Sequence, residues 1–480
     1  LYEIYADGNI LYTDDKMTAF IAGGQLIEGK TMKNTTEERM RKLTAIKFNE
    51  LPLERAIKQV RGDGKRVLAT FEDPNCGYCK RFERDLAAVT RIWREAGWID
   101  NSEARASALG EILDGGRTVV ADLNGSAECV VQTVPGSMRY GVGPSALDLD
   151  LAVITFVAAG HVARHQGLAG GLVARSLAEA ADDGAAMASL GIFDQGYYDR
   201  FGFGTGAEDH VVSFDPATLD VAVPNRPPVR IGVEDHREIY DLLLRRHRGH
   251  GSVMVELPAL VPEALAELER PVGLGFRSDD GRLTHCLLGS MAGHHGPLTV
   301  EWLIYEEPHQ LRDLLGLLRA LGDQVRSVTI SREPSGVQLQ ALLAEPMRQL
   351  SQANFGASAR PLHTAWSKVQ WRLLDLASCI EACALPGINL TFGLRLHDPL
   401  VERSGATWPG IGGDYTVHLG EESGVTDGLP TGSAPVLDAS VGAFTRLWLG
   451  VRPATGLTIT DQLAGPPEIL TALDVAFRLP

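Results

Sequence analysis

The clearest structural signal in this chain is LAVITFVAAGHVARHQGLAGGLVARSLAEAADD, residues 151–183. It begins with β-branched, aromatic and aliphatic residues from Leu151 to Val157, which is the length of a buried strand, and Gly160 interrupts this run. Beyond the turn, apolar residues recur at helical spacing, at Leu168, Leu172, Val173 and Leu177. The pattern predicts a strand, a turn and an amphipathic helix.

The turn from Arg164 to Gly171 is basic and rich in glycine. Free N–H groups and the helix dipole favour an anion at such a helix start, and glycine lets a phosphate approach the backbone. An ordinary strand-to-helix connection would use the same glycines, and the spacing alone favours that explanation. The stretch has neither the Lys-Ser/Thr ending of a P-loop nor a complete Gly-x-Gly-x-x-Gly.

The neighbouring segments favour an anion site. A helical stripe precedes the stretch, and strands are predicted for Arg117 to Leu123 and Glu128 to Val134 around an Asn124-Gly125 hairpin, and for Ala185 to Phe193. With Arg164, Gly167 and Ala169, this order resembles the GNAT acetyltransferases and their Arg/Gln-x-x-Gly-x-Gly/Ala loop. The resemblance implies that acetyl-CoA binds through its pyrophosphate, with contacts from Val162, Arg164, His165, Gln166, Gly167, Leu168, Ala169 and Gly170.

The aromatic run from Gln195 to Gly204 follows the predicted strand and could simply pack against the sheet. Its Tyr198 with Arg200-Phe201-Gly202-Phe203-Gly204 also resembles acetyltransferases of the enhanced intracellular survival type. That resemblance implies direct transfer, with Tyr198 as general acid toward the departing thiolate. It also implies a terminal carboxylate as base. Here that carboxylate belongs to Pro480, and the tail looks short because it has no terminal aromatic residue.

The same resemblance implies the domain order and the fold class, α/β with α+β parts. Residues 85–215 would be an N-terminal GNAT domain, 216–365 a degenerate second GNAT domain without a phosphate loop, and 366–480 a sterol-carrier-like α+β domain. Four histidines of the second domain lack a completed ligand set, so no metal is expected there: His247, His250, His294 and His295.

The N-terminal residues suggest a different protein. Cys76-Gly77-Tyr78-Cys79 follows a predicted strand, Arg66 to Phe71, and a helix start would stabilise the first thiolate. Residues 1–84 resemble the C-type periplasmic disulfide isomerases, which implies a dimerisation arm with linker helix at 1–63 and a partial thioredoxin-like segment at 64–84. In that family Cys76 would be the nucleophile and Cys79 the resolving thiol. Pro135 is read as a strand-end turn of the next domain rather than as a cis-proline loop.

Composition limits the remaining classes. The chain has 480 residues and a net charge of −16, which argues against a nucleic-acid partner and favours cationic substrates. No apolar segment is long enough to span a bilayer, so no membrane partner is expected. Six cysteines are too few for a disulfide scaffold of this size, and Cys379 and Cys383 are predicted to be packed core thiols.

The sequence therefore leads to three hypotheses about function. The first is an acetyl-CoA-dependent N-acetyltransferase acting on a small amine, such as an aminoglycoside, a polyamine or a lysine-like acceptor, and working as a homo-oligomer. The second is a thiol-disulfide isomerase that uses Cys76 and Cys79. The third is a fusion in which one or both parts are inactive. The first function implies the cytoplasm and the N-terminal fragment implies the periplasm. The usual first strand of the acetyltransferase sheet is missing before Leu86, and Arg66 to Phe71 occupies its place in the sequence.

Overall fold

The computed structural model describes residues 2–6, 9–14, 16, 20–22, 27–28, 33–36, 87–99, 112–113, 115–344, 362–401 and 408–478. The chain divides into two compact units, Leu1–Pro74 and Asn75–Pro480. In the first unit, strands β1 (Tyr2–Ala6), β2 (Asn9–Thr13) and β3 (Phe20–Ala22) form an antiparallel sheet, and β4 (Ile27–Glu28) pairs with β5 (Lys33–Asn34). The predicted strand 66–71 and the Cys76/Cys79 motif lie outside the described residues.

The described residues of the second unit form three sheets. Its strands are β6 (Arg117–Leu123), β7 (Ser126–Tyr140), β8 (Leu147–Ala159), β9 (Met187–Gly191), β10 (Gly204–Thr205), β11 (Asp209–Phe214), β12 (Val229–Arg230), β13 (Val253–Val255), β14 (Pro271–Arg277), β15 (Leu283–Met291), β16 (Leu298–Tyr305), β17 (Val328–Ile330), β18 (Leu362–Trp366), β19 (Val369–Leu373), β20 (Leu390–His397), β21 (Gly413–Leu419), β22 (Gly424–Asp427), β23 (Val436–Ser440) and β24 (Leu463–Ala464). Its helices are residues 87–95, Leu168–Asp182, His236–Arg245, Leu260–Ala266, Pro308–Ala320, Leu376–Glu381, Val441–Trp448, Ala454–Thr460 and Pro467–Ala476. Among the described residues, no helix combines the length and the apolar character needed to cross a membrane.

The first sheet has the order β10-β19-β9-β8-β7-β13, with β6 also paired to β7. The long strand β7 pairs with β8 along one edge, and along the other with β6 up to Thr133 and then with β13 from Gly136. Pro135 lies inside β7 opposite Ala152, so its interpretation as a strand-end turn was wrong. Because Pro135 falls where β7 changes neighbours, its missing N–H leaves no gap in either ladder.

The second sheet has the order β12-β14-β15-β16-β17-β11-β18, and its helix Pro308–Ala320 joins the parallel strands β16 and β17. The third sheet has the order β22-β21-β20-β23-β24. The third sheet and the first share one hydrophobic core, in which Tyr140 stacks on Trp448 at 4.1 Å between ring centroids. Cys379 and Cys383 are buried in this core, as predicted.

Several strands pair across the domain limits that the sequence predicts. β13, from the predicted second domain, extends the first sheet, and β11, from the predicted first domain, lies in the second sheet. β19, from the predicted third domain, pairs with both β9 and β10. Strand exchange therefore ties the three sheets into one unit, and the limits at 85, 215 and 365 remain predictions.

Candidate active site

The two central parallel strands of the first sheet separate. β8 pairs with β9 only from Leu151 to Ile154, opposite Met187 to Leu190. Beyond Ile154, β8 continues along β7 as far as Ala159, so its other edge loses its neighbour. Among the described residues, a wedge with unpaired backbone groups therefore opens immediately before the loop at 160–167.

An irregularity in β8 marks the same place. The register between β7 and β8 shifts between Val130 and Gln132, and Phe156 on β8 has φ 49°, in the left-handed region. A residue with a side chain pays about 1–2 kcal/mol for that conformation, and such strain concentrates at functional sites. The Phe156 ring packs 4.7 Å from Trp93 and 6.1 Å from Trp98, measured between centroids. Sequence reasoning missed this bulge, because the apolar run looks the same with or without it.

The loop that follows β8 ends at a helix start that is open to an anion. Gly167 is the N-cap of the helix Leu168–Asp182, with φ 78°, and no side chain caps the helix. The first turn holds no acidic residue, and its N–H groups have no partner within the helix. Arg164, His165 and Gln166 are exposed around it, and the Gln166 side chain donates to the Val162 carbonyl at 2.8 Å.

Carboxylates hold the start of this loop. The Glu128 carbonyl accepts from the Gly160 N–H at 2.7 Å, and the Glu95 carboxylate accepts from the His161 N–H at 2.8 Å. Arg91 bridges the two glutamates at 2.9 and 2.7 Å. The His161 hydrogen bond, with a smaller contribution from Arg91, lowers the pKa of Glu95 below its ordinary value of 4.5. A Cβ at Gly160 would lie 2.4 Å from the Glu128 carboxylate, so a larger residue there would force that carboxylate to move. Sequence patterns do not predict this cluster, since Glu128 and the loop lie far along the chain from Arg91 and Glu95.

Tyr198 lies on the short helical turn after β9. It is 7% exposed and packs with Phe201 and Phe203 in the core that includes the helix Leu168–Asp182. Burial, followed by the nearby Tyr197 and Asp194, raises the pKa of Tyr198 to about 12. Its hydroxyl has no hydrogen-bond partner among the described residues. Tyr198 therefore stays protonated at neutral pH, and no described side chain accepts a hydrogen bond from its hydroxyl.

A cavity of about 1570 Å³ lies where the three sheets meet. Its aromatic lining includes Trp93 on the helix 87–95, Trp98 just after that helix, and Phe156 on β8. Its carboxylates include Glu263 and Glu267 at the helix Leu260–Ala266 and Glu301 on β16. Neither Tyr198 nor the loop 162–170 lines this cavity. Phe156 is the link, since its ring lines the cavity while its backbone forms the edge of the wedge. Pro480, Cys76 and Cys79 lie outside the described residues.

Comparison with known families assigns part of the chain to a class. Residues 81–206 match the family model of the acetyltransferase (GNAT) domain. The chain therefore carries a GNAT acetyltransferase domain, and the class of its chemistry is acyl transfer.

Solved structures extend the likeness beyond this domain. A protein of unknown function from Enterococcus faecalis, described as a probable N-acyltransferase, has a TM-score of 0.65 at 18% identity, covering 82% of this chain and 94% of that chain. Eis1 from Mycobacterium abscessus has a TM-score of 0.65 at 17% identity, covering 83% and 95%. A GCN5-related N-acetyltransferase from Kribbella flavida has a TM-score of 0.63 at 18% identity, covering 83% and 94%. At these identities the likeness establishes the fold, and it confirms the resemblance to the survival-type acetyltransferases.

The N-terminal resemblance is also confirmed. A probable thiol:disulfide interchange protein DsbC from Bordetella parapertussis is 49% identical over 92 residues, 19% of this chain and 33% of that protein. The counterpart from Bordetella avium is 48% identical over the same length. The chain thus spans about a third of these relatives. A thioredoxin-like domain model matches residues 53–97.

The two family matches overlap at residues 81–97, and the structure shows what the described part of this overlap does. Val89, Ile92 and Trp93 of the helix 87–95 are buried against Val130 of β7 and Ala158 of β8. This helix therefore packs against the first sheet, on the acetyltransferase strands β7 and β8.

Proposed function

We propose that the chain is an acetyl-CoA-dependent N-acetyltransferase that acts on a small amine. The observation that carries the proposal is the wedge between β8 and β9, which leads directly to the uncapped helix start at Gly167. The pantetheine arm would lie along the unpaired edge of β8, and the pyrophosphate would bind the N–H groups of Leu168, Ala169 and Gly170.

Transfer would be direct. The lone pair of the amine attacks the thioester carbonyl carbon, the carbon–sulfur bond breaks, and Tyr198 gives its proton to the departing CoA sulfur. Tyr198 is protonated at neutral pH, as a proton donor must be, and its raised pKa makes it a weaker acid than an ordinary tyrosine. The amine nitrogen releases its proton to a base.

The cavity supports an amine acceptor. Aromatic rings next to Phe156 offer a surface for a cation, and the carboxylates of Glu263, Glu267 and Glu301 would attract it. The test is CoA release, followed with a thiol reagent, in the presence of polyamine, aminoglycoside and lysine-ester acceptors. We expect acceptor-dependent CoA release from at least one of these. No release from any of them, together with no acetyl-CoA binding by calorimetry, would exclude the proposal.

A second candidate function is thiol-disulfide exchange. It is favoured by the thioredoxin-like match over residues 53–97, which contains Cys76 and Cys79, and by the DsbC identity. The Cys76 thiolate would attack a substrate disulfide, and Cys79 would release the product and leave a Cys76–Cys79 disulfide. Refolding of a scrambled-disulfide substrate tests this, with Cys76→Ser expected to abolish activity. Activity that survives Cys76→Ser would exclude it.

A further inference from the structure

Two histidines and a glutamate converge at the edge of the second sheet. Nδ1 of His210 lies 2.8 Å from Nε2 of His363. A carboxylate oxygen of Glu333 completes a group whose three potential ligand atoms all lie within 4.8 Å of one another. Sequence patterns alone do not group these residues, since they come from three separate segments.

The sheet register brings these side chains together. β11 and β18 are antiparallel, with His210 opposite Ala365 and Val212 opposite His363, so the two histidines lie diagonally on one face. On β11 the same face buries Val212 and Phe214, and His210 stands where this core ends. His210 and Glu333 both line the large cavity.

Glu333 is held in place. Its backbone N–H donates to the His210 carbonyl at 2.7 Å, and its Oε1 accepts from the Leu339 N–H at 2.6 Å. That second contact fixes the carboxylate and leaves its other oxygen for a further partner. Such support is what a metal-ligating carboxylate requires.

We propose that His210, His363 and Glu333 form a binding site for a divalent transition metal of the Zn²⁺ class. Two imidazole nitrogens and one carboxylate oxygen suit Zn²⁺, Co²⁺ and Ni²⁺, whereas Mg²⁺ and Ca²⁺ prefer oxygen ligands alone. Two nitrogens on one tetrahedral Zn²⁺ lie roughly 3.3 Å apart, so a small separation of the rings admits the ion. The ring that now donates takes its other tautomer, with the proton on its far nitrogen. Three protein ligands leave a fourth position, which faces the cavity.

The test is Zn²⁺ titration by calorimetry of the full chain carrying Cys76→Ser and Cys79→Ser, because those thiols would also bind Zn²⁺. We expect one Zn²⁺ per chain, no heat with Mg²⁺, and visible absorption from Co²⁺ bound with fewer than six ligands. His210→Ala and His363→Ala should each weaken Zn²⁺ binding by more than about tenfold. Glu333→Gln, which keeps the Leu339 hydrogen bond, should also weaken it.

The matched control is His397→Ala. His397 is exposed and contacts Asp438 at 2.9 Å, a histidine–carboxylate pair without a second histidine. We expect this variant to bind Zn²⁺ like the parent. Because His210 and His363 are exposed, their variants should melt like the parent without metal, and Zn²⁺ should raise the melting temperature of the parent alone. Equal Zn²⁺ affinity in the parent and in His363→Ala, or no stoichiometric binding in the parent, would overturn the proposal.

Discussion

The first and second sheets both contain a strand, a helix and a parallel strand. In the first, β8 leads through the helix Leu168–Asp182 to β9, and in the second, β16 leads through the helix Pro308–Ala320 to β17. In the first sheet, the chain reaches this helix through a loop that ends in a left-handed glycine, Gly167, with no capping side chain.

In the second sheet, the helix Pro308–Ala320 starts differently. Glu306 and Glu307 immediately precede it, Pro308 takes the first helical position, and the Gln310 side-chain oxygen accepts from the N–H groups of both glutamates at 2.8 and 2.9 Å. Two carboxylates repel an anion, proline removes a donor, and glutamine occupies two others. We therefore propose that the same strand–helix–strand arrangement serves as an anion site in the first sheet and as a purely structural element in the second, because the residues at the two helix starts differ.

The largest expected effect is on Tyr198, the proposed general acid. Tyr198→Phe should lower kcat by about 10²–10⁴-fold and leave the affinity for acetyl-CoA unchanged, because only the proton donor is lost. Tyr197→Phe is the matched control, since the two rings are 4.9 Å apart and only Tyr198 matches the family's acid. Steady-state CoA release measures both variants. An unchanged kcat in Tyr198→Phe would remove this residue from the mechanism.

The next effect separates backbone strain from cofactor contact. Gly167 and Gly184 lie at the two ends of one helix with φ 78° and 90°, and a Cβ at either would meet nothing within 4 Å. Alanine at each should cost a similar 1–2 kcal/mol or so of stability. Only Gly167→Ala should raise the KM for acetyl-CoA, by about tenfold, because its methyl group would stand where the phosphate approaches. Equal KM changes in both variants would refute a pyrophosphate site at Gly167.

A change at the start of the helix Pro308–Ala320 should alter stability alone. Gln310 is 9% exposed, and Gln310→Leu leaves two N–H groups without their acceptor. We expect a loss of about 1–2 kcal/mol of stability in urea unfolding and no change in acetyl-CoA affinity. A change in that affinity would mean that the second helix start takes part in cofactor binding.

The smallest effect concerns the anchor of the loop. The pKa of Glu95 is lowered on folding, so its charge stabilises the fold above pH 4.5 or so, and this contribution is lost as the pH falls through the folded pKa. Glu95→Gln should therefore lower the melting temperature slightly at pH 7, and the difference should shrink below about pH 4.5. A difference that persists at acidic pH would contradict the assigned role of the charge.

Local signals predicted much of the fold. The hairpin at Asn124-Gly125 and the strand β9 lie where turn chemistry and apolar patterning place them. The loop 160–167 was recognisable because its glycines act locally. Pro135, the Phe156 bulge and the Glu95–Glu128–Arg91 cluster depend on partners far along the chain, which a single sequence does not reveal. The exchange of β11, β13 and β19 between predicted domains has the same cause.

Acetyl-CoA titration by calorimetry tests whether the helix start at Gly167 binds the cofactor and the helix start at Pro308 does not. The parent and Gln310→Leu should each bind one acetyl-CoA per chain with equal affinity. Gly167→Asp, which places a carboxylate at the first helix start, should lose that binding, and Gly184→Asp should keep it. Two equivalents in the parent, or unchanged binding in Gly167→Asp, would contradict the account.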